Sequence, residues 1–187
     1  MKLFLPIFAL ICLLFGCQTK QKATSDPNAK SNLLISGAFL DAFYSFDEDS
    51  LKSALSSAPK SQPSILYYQK WAECGHYEVL ERFPCTAKND TLITCPVMVK
   101  DDLMSALQLD LNVTDTFHIT IKEGLIRSVT TSSNDPSIYY EGKAWIEENR
   151  PELIREPCKD AWNGGLTPCE CIQGTVQGLK EFAQRGL

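Results

Sequence analysis

The sequence predicts a domain of the α+β class, in which helices pack on one side of an antiparallel sheet. Apolar residues recur at three- and four-residue steps from 34 to 71, the period of helices with one buried face. They then recur at every second position in segments between 79 and 131, the period of strands, before a helical period returns near 138. About 155 residues follow a polar N-terminal stretch, a length that fits one domain with its own core.

Three helices are predicted before the strands. The first begins behind the capping residue Ser31, the second is capped by Asp47 and stops before Pro59, and the third runs from near Pro63 to Gly75. The inward positions of these helices carry Leu34, Ile35, Ala38, Phe39, Ala42, Phe43, Phe46, Leu51, Ala54, Leu55, Ala58, Ile65, Leu66, Tyr67, Tyr68 and Trp71.

The first predicted hairpin joins residues 79–87 to residues 91–99 through a polar turn. Setting Lys88 opposite Leu92 fixes the register. The resulting opposed pairs are Ala87 with Ile93, Cys85 with Cys95, Phe83 with Val97 and Glu81 with Val99. Pro84 then faces Pro96, and neither proline can donate to the ladder, so this part of the hairpin is expected to be irregular or at a sheet edge.

A second hairpin is predicted from residues 116–122 and 125–131, joined at Glu123–Gly124. Between the two hairpins, a short helix is expected over 103–109. Two further helices are predicted, over 138–149 and from a capping box at Thr167 to Gly186.

The N-terminus has the order of an export signal: Lys2, an apolar run from 3 to 15, and Gly16 before Cys17. The run is shorter than the ~20 residues that span a bilayer. The segment 13–17 resembles the lipobox of bacterial lipoproteins, although Phe15 is bulkier than is usual there. The resemblance implies that residues 1–16 are removed and that Cys17 carries fatty acyl chains such as palmitate. An ordinary secretory signal is the alternative.

The resemblance also implies a cell-envelope location. Because Gln18 rather than aspartate follows the cysteine, it points to the outer membrane, facing the periplasm, if the cell is Gram-negative. Residues 17–31 are polar and are predicted to be a flexible tether. Without residues 1–16 the chain has 17 basic and 23 acidic side chains, a net charge of −6, which argues against a nucleic-acid partner.

Six cysteines remain in the exported chain, which predicts three disulfides. The hairpin register favours Cys85 with Cys95. Cys158 with Cys171 is the next expected pair, and Cys74 with Cys169 is the remainder. Zinc is disfavoured because the C-x-C spacing around Glu170 lacks the usual two- to four-residue spacer. No metal and no cofactor is expected.

Several patterns in order resemble the nuclear-transport-factor-2-like (NTF2-like, or SnoaL-like) superfamily. They comprise segments 39–44 and 68–71, the Cys85/Cys95 pair, segment 121–126 with Val129, and segment 145–152. The resemblance covers residues 32–155 and implies a cone-like, strongly bent antiparallel sheet packed against the N-terminal helices. Residues 156–187 are a cysteine-containing helical extension that departs from the family.

Members of this superfamily include enzymes and proteins with no known chemistry, so the fold does not determine the activity. Neither His76 nor His118 has a legible acid–base partner, and no catalytic residue is predicted. Tyr67, Trp71 and Phe83 are the candidates to line a pocket. One hypothesis is a non-catalytic lipoprotein that binds a small apolar ligand or a protein partner. The alternative is a pocket enzyme of the isomerase or dehydratase type, which would place a Tyr or His beside a buried carboxylate.

Overall fold

The computed structural model describes residues 27–159, 161 and 169–186. It confirms a mixed α+β architecture. The helices are α1 (Pro27–Tyr44), α2 (Glu48–Ala54), α3 (Gln62–Cys74), α4 (Asp102–Ala106), α5 (Ser137–Asn149) and α6 (Cys169–Ala183), with a 3-10 turn at Pro151–Leu153. The strands are β1 (Glu78–Arg82), β2 (Thr86–Ala87), β3 (Leu92–Lys100), β4 (Val113–Lys122) and β5 (Leu125–Ser133). The antiparallel sheet has the order β1-β3-β4-β5, and β2 also pairs with β3.

Helix α1 begins earlier than predicted. It starts at Pro27, so residues 27–31 are helical and the expected tether does not extend to 31. Proline suits the first turn of a helix because its missing amide hydrogen would have no partner there. A long-range contact holds this end of the helix, since the Asn32 side-chain amide donates to the Asp90 carbonyl at 3.2 Å. The signal peptide over 1–16 and the remaining tether residues, 17–26, lie outside the described residues.

Helices α2 and α3 begin where the sequence predicts. The Asp47 carboxylate accepts hydrogen bonds from the amides of Asp49 and Ser50, at 2.9 and 3.2 Å, and caps α2. Helix α2 ends at Ala54 rather than next to Pro59, and the chain continues in turns in which Leu55 and Ala58 stay buried. These turns keep both side chains in the core although the helix has already ended.

The first hairpin is interrupted around Pro84, as the sequence predicts, whereas Pro96 stays within β3. Residues 83–85 leave the ladder and separate β1 from β2, and both short strands pair with β3 at one edge of the sheet. The predicted pair Ala87 with Ile93 is present.

Beyond the interruption the predicted register is wrong. Val97 faces Arg82 rather than Phe83, and Val99 faces Val79 rather than Glu81. The offset has two sources, the break around Pro84 and a bulge within β1.

The inner face of the sheet forms the core with α1, α2 and α3. Every second residue of β3 and β4 is buried, and the ring of Phe117 packs edge-on against the rings of Phe39 and Phe43, at 5.7 and 4.8 Å between centroids. The Ser61 hydroxyl at the start of α3 accepts a hydrogen bond from the Val129 amide of β5, at 3.0 Å. This bond attaches the start of α3 to β5, the edge strand opposite β1.

Helix α6 shares this core rather than standing apart from it. It packs against α3, α4 and α5, and Ile172 and Leu179 are fully buried. Gly178 allows close approach to α5, because a Cβ atom there would lie 2.5 Å from Cγ1 of Ile146. The extension over 156–187 is therefore part of the domain's packing where it is described.

The six cysteines lie in the three pairs expected from the sequence. The disulfide of Cys85 and Cys95 crosses the sheet edge with Cα atoms 4.2 Å apart. The other two pairs hold the C-terminal segment: Cys74 joins the end of α3 to Cys169 at the start of α6, and Cys158 joins Cys171, with Cα separations of 5.1 and 4.9 Å.

Candidate functional site

An open cavity of about 240 Å³ lies between α1, the end of α2 and the turn that joins β4 to β5. Among the residues that the structure describes, none with a charged side chain contributes to its wall. The lining residues are Ile35, Ala38, Phe39, Ser53, Ala54, Ser56, Ser57, Gly124, Leu125 and Ile126. The wall therefore combines aliphatic and aromatic surface with hydroxyl groups, a composition that suits an uncharged ligand with a largely apolar body.

Local sequence features create this cavity. Glu123 and Gly124 both have positive φ, 56° and 71°, which makes a tight turn and leaves the Leu125 side chain 45% exposed at the rim. Opposite the turn, α2 ends early and the chain supplies only small side chains at 53, 54, 56 and 57. Small side chains facing a tight turn leave the gap unfilled.

A buried carboxylate lies at the opposite end of the inner face. Asp115 is only 2% exposed, although it occupies a position in β4 that is in phase with Phe117 and Ile119. Burial raises its pKa to about 7, and hydrogen bonding by the side chains of Tyr68 and Ser133 opposes this rise. Within the part of the chain that the structure describes, its Oδ2 atom has no hydrogen-bond partner.

Tyrosine side chains surround this carboxylate. Burial raises the pKa of Tyr68 and Tyr77 well above the ordinary value, and Asp115 adds to the increase for both. Burial likewise raises the pKa of Tyr44, whose hydroxyl is buried without a partner among the described residues. Asp101, the cap of α4, also has a raised pKa through burial, although its bond from the Met104 amide opposes the change.

Asp115 together with Tyr44, Tyr68 and Tyr77 forms an acidic cluster, and this cluster is separate from the cavity. Asp115 pairs with Ser133 at one end of the β4–β5 ladder, whereas Ile121 pairs with Ile126, a cavity residue, at the other end. Asp115 and Ile121 are six positions apart along the strand, a distance of roughly 20 Å at ~3.3 Å per residue. A ligand in the cavity would not reach the Asp115 carboxylate without a change in the structure.

The three residues predicted to line a pocket do not line this cavity. Tyr67 is 4% exposed and stacks on Trp71, with ring centroids 6.3 Å apart. The Lys143 ammonium group lies over the Trp71 ring at 6.0 Å. Phe83 is half-buried at the sheet edge, where its amide donates to the Pro96 carbonyl at 3.1 Å. A role in ligand binding for these residues stays a prediction.

Both histidines have partners that the sequence did not reveal. Nδ1 of His76 lies 2.6 Å from the Asp102 carboxylate on the surface, and Nε2 of His118 lies 2.8 Å from the Ser132 hydroxyl. His118 lies on the face of β4 opposite to Asp115, so it does not join the acidic cluster. Within the described ranges, no group of three or more His, Cys, Asp or Glu side chains is arranged to hold a metal ion.

Sequence reasoning missed the acidic cluster. The available signal was Asp115 itself, an acidic residue in phase with the apolar positions Val113, Phe117 and Ile119 of a half-buried strand. A charged residue on the buried face of a strand is costly unless it has hydrogen-bonding partners or is neutralised. The tyrosine partners were not identifiable because they come from distant segments.

The described part of the chain contains no helix with the length and apolar character needed to cross a membrane. Comparison of the sequence with known protein families and with curated proteins, and comparison of the fold with solved structures, gives no match.

Proposed function

We propose that this chain is an envelope lipoprotein, anchored through acylated Cys17, whose domain binds a small apolar ligand or an apolar group of a partner without catalysing a reaction. The observation that carries the proposal is the uncharged wall of the cavity beside the β4–β5 turn. General acid–base or nucleophilic catalysis needs titratable or activated groups at the bound ligand, and the described residues of this wall supply only apolar side chains and serine hydroxyls.

The cysteine pairs support the proposed location. Three disulfides persist in oxidising compartments and are rare in the cytosol. The three pairs stand at bonding distance: one joins α3 to α6, one joins the segment after α5 to α6, and one joins β3 to the break between β1 and β2. Such a framework suits a domain that works outside the cytoplasm, as the export signal and the lipobox resemblance imply.

An NTF2-like cone is the fold that we propose for residues 32–155. What supports it is the element order, three helices followed by two hairpins, together with the packing of α1, α2 and α3 on one face of a single antiparallel sheet. In a cone of this kind the inner face of the sheet would provide the ligand surface, and the cavity at the β4–β5 turn would be its open end.

A neutral fluorescent probe such as N-phenyl-1-naphthylamine tests binding. We expect the exported domain to increase probe fluorescence, and Ala38→Phe to abolish the increase because the larger ring fills the cavity. Ala144→Phe is the matched control, since Ala144 is also an exposed helical alanine but lies on α5. Equal probe binding by both variants would refute the assignment of the cavity.

A second candidate function rests on Asp115. A carboxyl group with a pKa of about 7 beside the Tyr68 hydroxyl has the chemistry of a general acid or base in an isomerase or dehydratase. Such an enzyme would exchange the α-protons of enolisable ketones, which deuterium incorporation measures by NMR. If the wild-type protein and the exposed control Asp110→Asn exchange these protons and Asp115→Asn does not, the enzymatic proposal replaces the binding proposal.

A further inference from the structure

We propose that the cavity beside the β4–β5 turn holds part of an acyl chain attached to the chain's own Cys17. This inference rests on the proposed function, because it requires Cys17 to be acylated. It names the ligand as an uncharged acyl chain carried by the same polypeptide. It also explains why an apolar cavity lies near the end of the domain that follows the anchor.

The chemistry of the wall fits an acyl chain with an uncharged end. Phe39, Leu125 and Ile126 offer apolar surface, whereas the hydroxyls of Ser53 and Ser56 make no hydrogen bond to any described residue. Those hydroxyls can donate to the carbonyl oxygen of an ester or amide. A free carboxylate or phosphate would find no cationic side chain among the described residues of the wall.

The volume matches a segment of one chain. A methylene group is about the size of a water molecule, whose share of liquid volume is ~30 Å³, so a cavity of about 240 Å³ holds roughly eight chain carbons. The rest of the lipid would stay outside the domain.

The path from the anchor to the cavity is short. Cys17 precedes the first residue of α1, Pro27, by ten residues, which reach roughly 17 Å as a flexible chain and at most ~35 Å when extended. Along α1, Ile35 at the cavity lies about 12 Å from Pro27. Leu34 is 68% exposed and sits one helical turn before Ala38 on the same face, so one exposed apolar side chain adjoins the cavity on the side nearer the start of α1.

Photo-crosslinking in the full-length lipidated protein tests this inference. Replacing Leu125 by p-benzoyl-phenylalanine puts the probe at the cavity rim, and the same replacement of Leu80 is the matched control, since the two leucines are 45% and 44% exposed. After illumination in membranes, reduction and trypsin digestion, we expect the peptide 123–127 to carry the acylated peptide 17–20. The yield should be several-fold higher than the yield of the corresponding product from Leu80.

Two added variants separate the outcomes. Ala38→Phe should suppress the crosslink at Leu125 by filling the cavity, whereas Ala144→Phe should leave it unchanged. Equal yields from Leu125 and Leu80, or crosslinks only to lipids that lack the 17–20 peptide, would overturn the inference. The Cys17→Ser protein isolates the binding proposal: if it binds the neutral probe through the cavity while the lipidated protein gives no crosslink, only this inference fails.

Discussion

The buried carboxyl group of Asp115 should make the free energy of unfolding decrease as pH rises. Replacing Asp115 by asparagine should remove most of that decrease. Asparagine keeps the shape of the side chain and stays neutral at every pH. In the native protein, burial raises the pKa of Asp115 from 3.8 to about 7. Between these two values the folded chain holds a proton that the unfolded chain releases, so stability decreases as pH rises through this range and levels off above it.

The size of the effect follows from the two pKa values. Between pH 5 and pH 8, a group with a pKa of 3.8 unfolded and about 7 folded costs the native state about 2.5 kcal/mol. The Asp115→Asn protein does not bear this cost. It should therefore be the more stable of the two proteins at pH 8 when its amide keeps the interaction with Tyr68. Asp101, whose pKa is also raised by burial, adds a decrease of the same sign to both proteins.

Urea unfolding at pH 5, 6, 7 and 8, with the disulfides intact, measures the difference. With a slope of ~2 kcal/mol per molar urea, the midpoint of the wild-type protein should fall by about 1 M more than that of Asp115→Asn. Asp110→Asn removes an exposed carboxylate and should behave as wild type. Parallel pH profiles for wild type and Asp115→Asn, or a wild-type stability that increases from pH 5 to pH 8, would contradict a raised pKa for Asp115 in the folded protein.

Three further predictions concern the anchor, a helix cap and a disulfide. Cys17→Ser should abolish acylation and release the protein from membranes, and an unchanged mass and membrane fraction would contradict this. Asp47→Ala removes two hydrogen bonds at the start of α2 and should lower the free energy of unfolding by about 1 kcal/mol, measured by urea titration at pH 7. Non-reducing peptide mapping should recover Cys85 linked to Cys95, and a free Cys85 or another partner would show the pairing to be wrong.

Features with short-range causes were predictable from the sequence. Asp47 caps α2, the turn at Glu123–Gly124 joins β4 to β5, and α3 ends before Gly75, as expected. Each of these depends on residues within about four positions along the chain, because capping and turn geometry are set by neighbouring backbone groups. The pairing of Cys85 with Cys95 also followed from the hairpin turn that separates them.

The candidate sites depended on contacts between distant segments. Asp115 lies among Tyr44, Tyr68 and Tyr77, which come from α1, α3 and the loop after α3, and the burial that raises its pKa exists only when these segments pack together. The cavity likewise needs α1, the end of α2 and the β4–β5 turn to meet. Sequence periodicity identifies which face of an element is buried, but not which distant side chains meet there.

Periodicity, caps, turns and cysteine number were enough to predict the fold class, the order of the elements and the framework of cysteines. Tertiary packing set the start of α1 at Pro27, where Asn32 contacts Asp90 across 58 residues, and the offset of β1 beyond Pro84. It also decided where a cavity stays open and where a carboxylate is buried. The physical reason is that solvent exclusion and packing volume are properties of the assembled layers, so no single segment of the chain carries them.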